Sequence, residues 1–136
     1  MLLKGHIIGI GIDLVSCHRL QNALQRTPDL MHRLFTSAEQ DYARTQYAPY
    51  MVFAKRFAAK EAFAKASGCG IGALLSWTDI AIKKYATGQP YITLSDRAEK
   101  AVHQKIGGPF SALCSLTDEK AGDDTMAQAI VMIQRI

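Results

Sequence analysis

Residues 52–72 read VFAKRFAAKEAFAKASGCGIG, and the rest of the chain is arranged around this run. Five charged residues stand among six alanines and three phenylalanines, and a glycine-rich turn follows. It reads as a long helix, closed by Gly68, with Gly70 and Gly72 opening a flexible connection. Residues three or four apart share a helix face, so Phe57, Glu61 and Lys65 align, as do Arg56 and Lys60. One carboxylate, Glu61, therefore sits among Lys55, Arg56, Lys60 and Lys65 on a helix otherwise suited to burial. A metal ion with a phosphorylated substrate needs such a cluster. The plainer alternative is an i,i+4 pair of Glu61 with Lys65 on a solvated face, worth only ~0.3–0.5 kcal/mol.

Upstream, HIIGIGIDLV at 6–15 alternates isoleucine with glycine and reads as a strand buried on at least one face. Gly9 and Gly11 permit close backbone approach, and Asp13 is the only acid of the stretch. A carboxylate at the end of a buried strand is costly unless it is paired, hydrogen-bonded or metal-bound. Asp13 is either a cap for the following helix or a ligand. The glycines do not form a dinucleotide fingerprint, because the third glycine is missing.

Between these two runs, 17–26 has helical spacing, with His18, Arg19 and Arg26 making a small basic surface near Asp13. A short helical piece spans 30–35. Thr36 with Glu39 fits a capping box opening the next helix, and a loop at 46–50 contains Pro49. Downstream, a strand at 77–85 pairs with 91–94 through Thr87-Gly88-Gln89-Pro90. Asp96 and Glu99 open a helix with Ala98, Ala101, Val102 and Ile106 inward, and Gly107-Gly108-Pro109 ends it. Two apolar strand patterns, 110–117 and 126–136, are joined by the polar turn DEKAGDD. The order implies one α+β domain over 1–136, a mainly antiparallel sheet packed on a long central helix.

The 136 residues suffice for a core, and 49% hydrophobic with 21% charged is ordinary for a soluble globular domain. Sixteen Lys and Arg against twelve acids give a net charge of +4, spread rather than blocked. This mild excess suits an anionic partner: a phosphorylated small molecule, an acidic protein or nucleic acid. Cys17, Cys69 and Cys114 are odd in number and widely spaced, which indicates neither a zinc site nor a disulfide framework but reduced thiols in the cytoplasm. No signal peptide and no membrane-spanning run is expected. A basic module docking on RNA or another polyanion is the competing reading. It lacks aromatic stacking arrays and nucleic-acid motifs.

If the first strand packs on the long helix, Asp13 and Glu61 could share one hard cation, with the lysines favouring an anionic substrate. The segments GIGIDLV, RFAAKEAFAKASGCGIG, GQPYI and LTDE resemble those of the bacterial holo-[acyl-carrier-protein] synthases, the small phosphopantetheinyl transferases. The resemblance spans essentially the whole chain. Two motifs far apart, GxD and RFxxKEAxxKA, agree in spacing with each other and with total length.

The resemblance implies transfer of the 4′-phosphopantetheine arm of coenzyme A to a serine of apo acyl carrier protein, releasing adenosine 3′,5′-bisphosphate. In it Asp13 and Glu61 match metal-binding positions for magnesium, and Lys65 offsets phosphate charge. The proton of the serine goes either to Glu61 or to a metal-bound water. Arg56, Lys60, Lys65, Gly68 and Gly70 match positions around the coenzyme's phosphates, and Gly88, Gln89 and Pro90 a turn near the nucleotide. It further implies a homotrimer with shared sites, and a basic surface of Arg19 and Arg26 facing the acidic carrier. The chain departs from the pattern twice. Asp118 stands where many relatives carry histidine, and Ser16 where glutamate is frequent.

Overall fold

The long helix, α4, runs Pro49–Ser67 in the computed structural model, which describes residues 5–136. It begins three residues before Val52, with Pro49 in its first turn. Proline fits there because its fixed φ is already helical and its missing N–H would have had no intrahelical partner. The helix ends on Gly68 in the left-handed conformation, φ 70°. Ala58, Ala59 and Ala62 have no exposed surface. Small side chains let neighbours close in on several sides, so α4 is the core of the molecule rather than a surface helix.

A three-stranded antiparallel sheet covers one side of α4 in the order β1 (His6–Ser16), β5 (Asp124–Arg135), β4 (Phe110–Ala121). Ala127, Ala129, Val131 and Ile133 of β5 are buried, and the last three join the cluster containing Ala58, Ala62 and Ala66. On β1 the buried position is Gly11, while Ile10, Ile12 and Leu14 point away and are exposed in the single chain. The isoleucines of HIIGIGIDLV thus face outward, and the glycines carry the packing. A Cβ at Gly9 would lie 1.8 Å from the Ala66 carbonyl oxygen, and one at Gly11 1.9 Å from that of Ala62. Only glycine allows this approach.

The helices α1 (Cys17–Arg26), α2 (Leu30–Leu34) and α3 (Ser37–Arg44) cover the first half of α4. Leu20, Leu24, Leu34, Phe35 and Phe53 form their common core. The Ser16 side chain caps α1 by accepting from Arg19 N–H, so the capping role considered for Asp13 belongs to Ser16. The expected capping box at Thr36 and Glu39 is present. A hairpin, β2 (Ile80–Lys84) and β3 (Pro90–Leu94), forms a separate two-stranded ladder beside α5 (Asp96–Ile106). Ser95 caps α5 and Gly107, φ 86°, ends it.

Two further boundaries differ from the sequence reading. Residues 77–79 form a 3-10 turn instead of the start of a strand. Asp79 is the reason: its carboxylate accepts from the Ser76 N–H and hydroxyl at 2.8 and 2.9 Å, which curls the backbone locally. The polar run 118–124 is mostly strand, and the chain reverses over Gly122-Asp123 alone. Gly122 supplies the positive φ, 62°, that so short a reversal requires. Antiparallel pairing with β5 outweighs the polarity of Asp118, Glu119 and Lys120, whose side chains stay at the exposed end of the hairpin.

Candidate active site

Because Gly9 and Gly11 seat β1 directly on α4, the end of β1 meets the middle of the helix. Asp13 and Glu61 line the same groove of about 700 Å³. The Lys65 ammonium donates to the Asp13 carboxylate at 3.1 Å and to the Ile12 carbonyl at 2.9 Å. Lys65 thus pairs with Asp13 across the strand–helix junction, rather than with Glu61 along the helix. Glu61 has no ion-pair partner among the described residues. Burial pushes its carboxyl above the ordinary value, and the negative charge of Asp13 adds to this while Lys65 opposes it.

Two carboxylates held close enough to repel, one of them unpaired and facing open space, form a hard-oxygen donor set. Magnesium takes one or two carboxylates and fills its shell with water and substrate phosphate, and these residues fit it on that chemistry. Among the described residues no group of three or more His, Cys, Asp or Glu converges.

Glu61 stands on the wall between two grooves. The one shared with Asp13 also carries Arg19 and Arg26, with Leu34 and Phe57 as its apolar floor. The other, about 560 Å³, is lined by Lys65, Gly68, Gly70 and Trp77. The structure therefore places Asp13, Arg19 and Arg26 in one groove and Lys65, Gly68 and Gly70 in the other, with Glu61 common to both.

The remaining expected residues lie elsewhere. Arg56, Gly88 and Pro90 line a separate groove of about 270 Å³, together with Lys55 and Lys84. Arg56 is buried, donates to the Ile82 carbonyl at 3.1 Å and stacks on Tyr42 with 4.4 Å from guanidinium carbon to ring centroid. Gln89 is exposed on the hairpin turn, and its carbonyl accepts from Tyr85 N–H.

Lys60 has no exposed surface, and its ammonium donates inward to Leu34 O, Glu39 Oε1 and Trp77 O. Burial pulls its proton affinity down, and Glu39 counteracts this. On the helix Arg56 and Lys60 do share a face, but that face looks into the protein. Asp118 pairs with Lys55 at 3.0 Å.

Sequence reasoning put Phe57 on the face of Glu61 and Trp77 in a strand but gave neither a place in the site, where their rings lie 5.0 Å apart, and it missed the pairing of Glu39 with Lys60. Glu39 signalled only its capping box, since the partner lies 21 residues away. A lysine on the inward face of an alanine-rich helix was the one usable hint that a buried acid had to exist elsewhere.

Comparison with known proteins agrees with this fold. A family model described as the 4′-phosphopantetheinyl transferase superfamily matches residues 9–116. The holo-[acyl-carrier-protein] synthase of Shouchella clausii is 50% identical over 103 residues, covering 74% of this chain and 86% of that protein. Among solved structures, the holo-[acyl-carrier-protein] synthase of Neisseria meningitidis superimposes with TM-score 0.82 at 32% identity, over 94% of this chain and 98% of that one. The Helicobacter pylori holo-[acyl-carrier-protein] synthase in complex with coenzyme A gives 0.75 at 31% identity, over 91% and 98%. The family model and these relatives cover most of the chain, and the α+β fold is common to the solved structures: the chain belongs to the 4′-phosphopantetheinyl transferase superfamily.

Proposed function

We propose that the chain is a holo-[acyl-carrier-protein] synthase, moving 4′-phosphopantetheine from coenzyme A to a serine of apo acyl carrier protein. The observation that carries this is the junction of Asp13, Glu61 and Lys65 at the meeting of two grooves. Relatives named for the activity, and a similar synthase in complex with coenzyme A, support it.

In the reaction the serine oxygen forms a bond to the β-phosphorus of the coenzyme's diphosphate. The bond from that phosphorus to the bridging oxygen breaks, and adenosine 3′,5′-bisphosphate leaves with that oxygen. The serine proton is lost to a base. Glu61, whose carboxyl has raised proton affinity, lies beside the reacting centre. Lys65 places positive charge where the phosphate oxygens gain negative charge. The backbone at Gly68 and Gly70 leaves the groove open to the diphosphate. A magnesium ion held by Asp13 and Glu61 would supply further charge stabilisation at the phosphate. Arg19 and Arg26 favour an acidic carrier protein at the mouth of the other groove.

The reading includes a homotrimer whose sites are shared between subunits. Two features support it. The outward face of the sheet exposes Ile10, Ile12, Leu14 and Leu113, a patch that a second copy would cover. Arg56, Gly88 and Pro90 line a groove apart from Glu61, which suits a coenzyme contacting one chain by its diphosphate and the next by its nucleotide end. Three unpaired cysteines accord with a reducing cytoplasm. Among the described residues no helix is long and apolar enough to cross a membrane.

The decisive experiment mixes the protein with apo carrier protein, coenzyme A and magnesium, and weighs the carrier by mass spectrometry. A gain of one phosphopantetheine is expected. No gain overturns the proposal.

A further inference from the structure

Among the described residues, Lys60 and Glu39 form a deeply buried ion pair that has no part in the proposed chemistry. Lys60 is 0% exposed and Glu39 3%. Their ion pair is 2.6 Å long. An ammonium has three donors, and all three are used: toward Glu39 Oε1 and Leu34 O at 2.6 Å each, and toward Trp77 O at 3.1 Å. Glu39 is equally occupied. Its Oε1 also accepts from Thr36 N–H at 3.0 Å, and its Oε2 accepts from Ile82 N–H at 3.0 Å. Burying two charges costs desolvation free energy that only complete pairing offsets, so such a network is poor economy as a mere stabiliser.

What the network joins is informative. Leu34 ends α2 and lines the groove that holds Asp13. Trp77 opens the 3-10 turn and lines the groove that holds Lys65. Phe57, one helical turn before Glu61, bridges the two by lining the first groove while packing its ring on Trp77. Lys60 immediately precedes Glu61. One buried ammonium thus ties a wall of each groove to the helical turn that presents Glu61 between them. Glu39 extends the tie to α3 and β2.

The geometry points to the Lys60–Glu39 pair as the positioning element that sets the two groove walls relative to Glu61. It touches no substrate and acts through Leu34 and Trp77. Its loss leaves the reacting groups present but their two partners misplaced. Small displacements of that kind lower the rate of the step itself more than they weaken binding. The inference rests on the reading that Glu61 serves the reacting centre.

Trp77 is the only tryptophan of the chain, so its emission reports directly on one wall. The test uses the full-length protein with Lys60→Met, Glu39→Gln and the double variant Glu39→Leu/Lys60→Met. The double variant leaves neither charge of the pair buried without its partner, and it is therefore expected to fold even where the single changes do not. At temperatures where circular dichroism shows each variant fully folded, kcat for carrier modification is expected to fall about ten- to a hundredfold. KM for coenzyme A moves far less, and Trp77 emission shifts to longer wavelength.

Three results overturn the inference. The first is a folded double variant with wild-type kcat and emission. The second is a double variant that does not fold, since the pair would then hold the fold as a whole. The third is a raised KM for coenzyme A in Lys60→Met with Glu39→Gln unaffected, which would mark a direct phosphate contact by Lys60. If Glu61→Gln retains transfer, the reading of the reacting centre fails separately, while the emission shift of the pair variants still stands.

Discussion

Gly11 lies against the backbone of Ala62 so closely that a Cβ placed on it would be 1.9 Å from the Ala62 carbonyl oxygen. The opposing atom is helix backbone and cannot rotate aside. Gly11→Ala must therefore lift β1 off α4, at a cost of about 1–3 kcal/mol, the range for overpacking a tight interior. Since Asp13 follows two residues later on the same strand, the same shift parts it from Glu61 and Lys65. A lower melting temperature together with loss of carrier modification is expected. Wild-type stability in Gly11→Ala would contradict this contact.

Asp13→Asn and Glu61→Gln keep shape while removing one negative charge each. Transfer should drop on the order of 10²–10³-fold, the scale for losing one charge-stabilising group at a phosphoryl or acyl centre. Glu61→Gln also relieves repulsion with Asp13, so its thermal stability is expected to equal or exceed wild type in the absence of metal. Calorimetric titration with magnesium separates lost metal affinity from lost chemistry.

Arg19 and Arg26 line the groove that holds Asp13. Replacing both by glutamate should slow association with the acidic carrier while leaving coenzyme A affinity untouched. The defect should shrink at high salt, where even the wild-type attraction is screened. A defect independent of ionic strength would place the arginines in another role.

Stability in acid depends on Asp79. Burial disfavours its charge, yet hydrogen bonds from Ser95 and Ser76, with Arg97 alongside, hold its carboxyl below the ordinary range. A depressed folded-state value means that the stabilisation is present above the unfolded value of about 4 and is lost as pH falls through the folded one. Asp79→Asn is thus expected to be less stable than wild type at neutral pH, the gap narrowing as the pH drops below about 4. Urea melts at neutral and acidic pH measure it.

Ile12, 54% exposed on the outward face of β1, should report on assembly. On the proposed assembly the wild type is expected to sediment as a trimer and Ile12→Asp as a monomer that loses transfer with it. Retained trimers would move the interface to another surface.

Much of this was legible in the chain because it depends on local rules. The run 52–72 announced a helix through its alanines and its terminal glycine, the Thr36–Glu39 box announced another, and GIGID announced a strand with close backbone approach. That Asp13 and Glu61 share a groove could be anticipated because each is a lone acid on an apolar element. Where contacts cross from one element to another, the reading failed. Lys60 has the same chemistry as Lys65 five positions away, yet one faces the interior and the other the groove. Trp77 looked like the start of a strand because the Asp79 side chain, reaching Ser76, Ser95 and Arg97, is not visible as a turn signal.

The sequence by itself determined most of the elements, their order and the α+β class, and it singled out the two acids that line one groove, since propensity, capping and apolar spacing act over a few residues. Tertiary structure alone decided which cation serves which acid. Gly9 and Gly11 let the strand sink onto α4, and the register of that contact turns Lys65 toward Asp13. The same helix rotation points Lys60 at Glu39, where only a buried carboxylate can compensate a buried ammonium.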